Sequence, residues 1–404
     1  MQTRYGHLTY CSNIHPGVSW EEHFRELKEN LPYIRREVAG DEPLAIGLRC
    51  AHEASLELSR PARLQEFRQW LDDNRLYIFC INGFPYGSFH GSVVKDQVHS
   101  PDWTTGERAA YTKRLFKILA GLLPDGMHGG VSTPPLSYRH WWATEEQRQE
   151  AVRTATANIL DVVAFLIDLE AATGRFLHLD IEPEPDGILD NGHDFFEWYE
   201  HQLIPAAVAY LEEKKGYGEE ESGNAVRRYV QLCYDVCHFA VSYESPAAVM
   251  EKLRQTGIRV GRLQVSSALR VDLSDRKEEK LEALAAFNEP VYLHQVVARK
   301  AGASPLLHYT DLDKALSDDT SGHAEWRVHF HVPLFLESYG LLNSTQPDIK
   351  EVLAIQKNEA FTDYLEVETY TWGVLPAPLH VPVSDSIVRE LTWVKKQLDT
   401  DGNE

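Results

Sequence analysis

"YVQLCYDVCHFAVSYESP", residues 229–246, runs from an apolar stretch straight into Asp235, Cys237 and His238. A short run of Val, Leu and Tyr reads as a buried strand, and the three polar residues stand where that strand gives way to the next element. Such a trio has three uses: a satisfied polar cluster, a redox pair or part of a metal site. The choice depends on what other strand ends carry.

Similar apolar runs recur at 7–15, 44–51, 76–84, 128–136, 175–183, 259–269 and 363–372. Helical patterns lie between them, near 20–37, 61–74, 107–123, 145–172, 194–214, 245–256 and 278–287, with a last one near 384–398. The clearest is "ATEEQRQEAVRTATANILDVVAFLIDLEAATG", with apolar residues three and four apart and a closing glycine. Eight strands, each followed by helix-bearing sequence, predict an α/β fold of the (β/α)₈ TIM-barrel type, which needs about 250 residues and tolerates insertions. A doubly wound open sheet shares the alternation. No linker or internal repeat splits the 404 residues, so a single barrel domain is expected over 1–404. The surplus length falls at about 285–325, as an insertion between strands seven and eight.

Lys and Arg total 40 against 61 Asp and Glu, a formal charge of −21. Holding duplex nucleic acid by its phosphates needs a broad basic face, so nucleic acid is a disfavoured partner. Five cysteines, sparse and mostly inside apolar runs, read as reduced core or site residues. The four-residue spacing of Cys233 and Cys237 is not the CxxC of redox or zinc motifs, which favours packing. Neither a signal-peptide layout nor a membrane span is visible, and the expected location is the cytoplasm.

In a barrel the site lies at the carboxyl ends of the strands. Collected there are Asn13 and His15 after strand one, Asn82, Tyr86 and His90 after strand three, and Glu182 and Glu184 after strand five. Strand six gives Asp235 and His238, strand seven Gln264, Ser266 and Ser267, and strand eight Glu366 and Glu368. His329 and His331 precede strand eight. Carboxylates converging on one mouth repel unless protonated or neutralised, and a divalent cation removes the conflict. The metal-free alternative pairs each carboxylate with an arginine or histidine, for which Arg262, Arg270 and Arg327 are available. Glu184 suits a turn in its Pro-Glu-Pro stretch better than a ligand role. Phe84, Tyr86 and Trp103 are candidates for the pocket wall.

"CYDVCHFAV" resembles the Asp-x-x-His segment of the xylose-isomerase-like TIM barrels, the superfamily of sugar isomerases, epimerases and endonuclease IV. "GHLTYCSNIHPG", "INGFPYGSFH", "VHSPDWTT", "HLDIEPEPDG", "QVSSAL", "YLHQV", "EWRVHFHVP" and "LEVETYTW" resemble, within that superfamily, the EboE metabolite-traffic family. The resemblance implies that Glu182, Asp235, Gln264 and Glu368 hold one divalent ion (Mn²⁺, Mg²⁺ or Zn²⁺). It further implies that Glu182 and Glu368 move the proton, with His238, His329, His331, Arg327, Asn82 and Tyr86 binding substrate. Gln264 stands where the superfamily has a histidine, Arg327 where endonuclease IV has an aspartate, and Asn82 where it has another histidine. These departures put a three-zinc phosphodiesterase in doubt. The implied activity is isomerisation or epimerisation of a sugar-like or polyhydroxylated metabolite. The alternatives are a non-catalytic protein that binds and hands over a metabolite, and a metal-dependent phosphoesterase. The implied protein partners belong to the family's gene cluster, a UbiA-like prenyltransferase among them.

Overall fold

The computed structural model describes residues 1–89, 93–302, 305–375 and 381–400. Barrel strands one to eight are Gly6–Tyr10, Leu44–Arg49, Leu76–Asn82, Gly129–Thr133, Leu177–Ile181, Val230–Asp235, Val260–Val265 and Tyr364–Val367. They pair in parallel in the order one, eight, seven, six, five, four, three, two. A parallel bridge between Cys11 and Gly47 joins strands one and two and closes the ring.

Local chemistry sets the surrounding helices. Glu145–Thr173 starts on a capping box of Thr144 and Gln147 and stops at Gly174, whose φ of 68° suits a residue without a Cβ. Trp20–Ala39 opens on the equivalent box of Ser19 and Glu22. Asp235 ends strand six and at once caps the short helix Val236–Val241 through the backbone N–H of His238. Among the described residues, no helix is long and apolar enough to cross a membrane.

Between strands seven and eight the chain builds a second sheet, antiparallel and six-stranded, from Leu269–Asp272, Val296–Lys300, Leu307–Tyr309, His323–Val328, Ser338–Tyr339 and Leu342–Ser344. The expected excursion at about 285–325 therefore covers only its middle. The run read as one strand at 259–269 is divided between the two sheets. Ser266 breaks it: its hydroxyl donates to Asp235 and accepts the backbone N–H of Cys237. Apolar residues of the second sheet, such as Val296, Trp326 and Val328, are continuous with the barrel core.

The barrel interior is not apolar throughout. Midway down, Arg262 reaches Glu366 at 2.8 Å and Asp180 at 3.6 Å, and donates to the carbonyls of Ile81 and Gly130. His178 holds the other side of Asp180 at 2.6 Å. Three glycines make room for these carboxylates. A Cβ at Gly47 would lie 1.7 Å from Glu366, and one at Gly130 or Gly261 would lie 2.1 or 2.0 Å from Asp180. Gly130 thus serves the barrel interior near the start of strand four, far from the mouth.

Candidate metal centre

Above that layer, strands five, six and eight deliver Glu182, Asp235 and Glu368 to one point. Each offers an oxygen, and the three oxygens lie within 4.8 Å of one another, all buried. Alternation along strand eight explains Glu368: it lies two residues beyond the inward-pointing Glu366. Asn13 and Asn82 both donate to its Oε1, at 2.8 and 3.2 Å, which fixes that oxygen. Asp235 Oδ1 accepts from Ser266 and from the His238 backbone, while its Oδ2 is buried with no hydrogen-bond partner.

The electrostatics of this trio are unbalanced. Burial, with Asp235 and Glu184 close by, pushes Glu182 well above the usual carboxylate range. Burial, Glu182 and Asp235 do the same to Glu368. Burial also acts upward on Asp235, but His238, His331 and the hydrogen bonds from Ser266 and the His238 N–H outweigh it and hold Asp235 low. None of the three arginines forms an ion pair with Glu182, Asp235 or Glu368. Arg262 is taken by Glu366 and Asp180, and Arg270 and Arg327 pair with Glu325.

Three histidines crowd the same place. His238 donates from Nδ1 to the Pro183 carbonyl, and His329 donates from Nδ1 to Gln295 Oε1, since Gln295 uses its amide nitrogen on Pro185. Their Nε2 atoms face one another at 3.1 Å, a contact that needs a proton or another cation between two lone pairs. Burial and the neighbouring imidazoles hold His329 well below its ordinary value. His331 donates from Nδ1 to the Glu368 carbonyl and keeps an unpartnered, buried Nε2. An orphaned carboxylate oxygen and an orphaned imidazole nitrogen, beside carboxylates that resist ionising together, fit a divalent cation. Asp235, His238 and His331 form a second group of possible ligands, and Cys237, His329 and His331 a third.

The cleft over this point encloses about 560 Å³, open solvent included. Of the residues expected there, Glu182, Glu368, His238, His329 and Asn82 line it. Gln264 is buried at its base beside Asp235, but its Oε1 accepts the Cys233 thiol at 3.0 Å and the amide nitrogen is the atom left over. Arg327 does not reach the cleft: it bonds Glu325 and the Ala240 carbonyl and stacks on Tyr243. Tyr86 also points elsewhere, to Glu107 and the His52 ring. Trp103 packs inside and donates to Thr133, whereas Phe84 does line the cleft. His90 lies outside the described residues.

Glu184, expected at the mouth but read as a turn residue, does both, and Gln295 is among the lining residues that the sequence reading did not place there. Glu184 serves its turn, accepting the Gly187 N–H, yet its side chain also lines the cleft 3.0 Å from His99. Gln295 arrives from the second sheet, and no spacing in the sequence ties it to His329.

The fold is that of the xylose-isomerase-like TIM barrels. Among solved structures the chain is similar to a xylose isomerase-like TIM barrel protein from Mycobacterium smegmatis in complex with magnesium, at 11% identity and a TM-score of 0.50, covering 98% of each chain. It is also similar to the IolI protein with a bound zinc atom, at 11% identity and a TM-score of 0.48, covering 97% of this chain and 98% of that one. A D-allulose 3-epimerase from Methylomonas sp. in complex with D-allulose matches at 10% identity and a TM-score of 0.45, covering 97% and 96%. No protein-family model and no curated protein matches the sequence.

Proposed function

We propose that the protein is a metal-dependent isomerase or epimerase acting on a sugar-like, polyhydroxylated metabolite. The observation that carries the proposal is the meeting of Glu182, Asp235 and Glu368, buried and without an arginine partner, within 4.8 Å. These three would hold one divalent ion, Mn²⁺, Mg²⁺ or Zn²⁺, with Gln264 joining if its amide turns to present oxygen. A bound ion would supply positive charge that offsets the gathered carboxylates and polarises adjacent substrate oxygens.

The chain's own groups divide the remaining work. Glu182 and Glu368 would be the acid–base pair: one, ionised, takes a proton from the carbon beside a carbonyl, and the other, protonated, returns one. Asn13 and Asn82 keep Glu368 aimed through its Oε1. His238 and His329 line the cleft and orient hydroxyl groups, and His331 presents its free Nε2 beside Asp235. The test is proton exchange. A panel of ketoses in D₂O with Mn²⁺ should show deuterium entering the carbon next to the carbonyl by NMR, lost in Glu182→Gln and Glu368→Gln. Bound ketose without exchange would replace an enzyme by a carrier.

That second reading, a protein that binds a metabolite and hands it over, is favoured by one detail: the oxygen of Gln264 is spent on Cys233. The stretches that resemble the EboE family support a setting in metabolite traffic beside a UbiA-like prenyltransferase. Co-purification of the two proteins from cells expressing both would test it.

A further inference from the structure

The cleft has two unlike halves. Its floor is built by barrel strand ends and their neighbours: Asn13, Asn82, Glu182, His238, His329 and Glu368. Its collar is apolar and comes from three separate segments, the loop after strand three, the segment leading to Val296–Lys300 and the turn after strand eight. Phe89, Tyr292 and Tyr370 meet there as three rings, with centroid separations of 5.3, 5.1 and 5.1 Å. Phe89, Val94 and Tyr292 form a small cluster separate from the main core. The Tyr292 hydroxyl is used on the Phe89 carbonyl at 3.1 Å, which ties two segments together and leaves the ring as its contribution to the cleft. Tyr370 lies tilted against His331, with centroids 4.6 Å apart, which ties the collar to the histidine beside Asp235.

Charge adds a second constraint. Glu182, Glu184 and Glu368 line the cleft, and Lys95 is its only lining lysine or arginine among the described residues. Lys95 is already paired with Asp311 at 2.5 Å. With Glu182, Glu184 and Glu368 on the lining, a phosphate group would meet carboxylates instead of a free cation.

We propose that the ligand of this cleft is uncharged and two-ended: a hydroxycarbonyl or vicinal-diol head on the floor, joined to an apolar, ring-sized body held by the aromatic collar. The head rests on the metal-centre reading above; the body and the lack of charge go beyond it. Ring burial against the collar favours the two-ended ligand, while a bare sugar leaves that apolar surface facing its hydroxyls.

Calorimetry on the Mn²⁺-loaded protein with D-fructose, D-fructose 6-phosphate and 6-O-benzyl-D-fructose tests the proposal. The benzyl ether should bind roughly tenfold more tightly than fructose, as expected for one buried ring, and the phosphate more weakly than fructose. Tyr292→Leu should weaken the benzyl ether by a larger factor than it weakens fructose, bringing the two closer together. Equal binding of fructose and its benzyl ether, or tighter binding of the phosphate, overturns the two-ended uncharged ligand and leaves the metal-centre reading standing. Failure of all three to bind a protein that retains Mn²⁺ overturns the polyol head as well.

Discussion

The barrel holds two clusters of buried charge, one above the other, and they differ in how that charge is balanced. In the middle layer two carboxylates, Asp180 and Glu366, share Arg262, with His178 closing the far side. At the mouth three carboxylates share no arginine. The lower cluster carries its own countercharge, although Asp180 Oδ2 and Arg262 Nε lack hydrogen bonds there. The upper one has no such cation of its own, and the metal-centre proposal rests on that difference.

Breaking the lower cluster should have the largest effect. Arg262→Met strands two carboxylates in the barrel and should cost about 3–5 kcal/mol in urea unfolding, with or without metal. A small loss would mean that the layer is not the ionic scaffold described. At the mouth the sign depends on the ion. Asp235→Asn keeps a helix-capping side chain but removes one negative charge, so metal content by elemental analysis should fall. The stabilisation of about 2.7 kcal/mol that a ligand at 100 times its Kd confers should vanish with it. Unchanged metal stoichiometry would sink the assignment of Asp235.

The third prediction concerns pH. Glu182 and Glu368 are pushed up, so the folded, metal-free protein binds more protons than the unfolded chain once pH exceeds the ordinary glutamate range. Their contribution to stability therefore falls as pH rises from there. Glu390, which burial pushes to about 8, contributes the same sign whether or not metal is bound. Saturating Mn²⁺ should remove the part due to the mouth, so unfolding free energies at pH 5.5, 6.5 and 7.5 should diverge with and without metal. Parallel curves would show that no ion engages these groups. The smallest effect is expected outside both clusters. Tyr86→Phe should cost about 0.5–1.5 kcal/mol for its hydrogen bond and leave metal content untouched.

The eight barrel strands were legible because each is a short apolar run closed by polar residues, and strand parity separated Glu366 and Glu368 from Leu365 and Val367. Strand ends brought Glu182, Glu184, Asp235, Glu366 and Glu368 to one mouth, and the family resemblance singled out Glu182, Asp235 and Glu368 among them. The second sheet was legible only in part, since its strands are two to six residues long and the first lies in the same apolar run as strand seven. Partner choice was harder still. Arg327 looked available for substrate, but Glu325, two positions earlier on the strand, takes it. Gln264 occupies the predicted position, yet the thiol of Cys233 decides which of its atoms faces the site.

Gly47, Gly130 and Gly261 carry a lesson about how such an interior changes over generations. Each lacks a side chain because a carboxylate from another strand fills that volume. An alanine there has no space until the acid opposite has shrunk, and a shrunken acid leaves both a void and an uncompensated guanidinium. Variation in this layer should therefore arrive in matched sets: relatives that lose Glu366 or Asp180 should gain bulk at the facing glycines and replace Arg262 together.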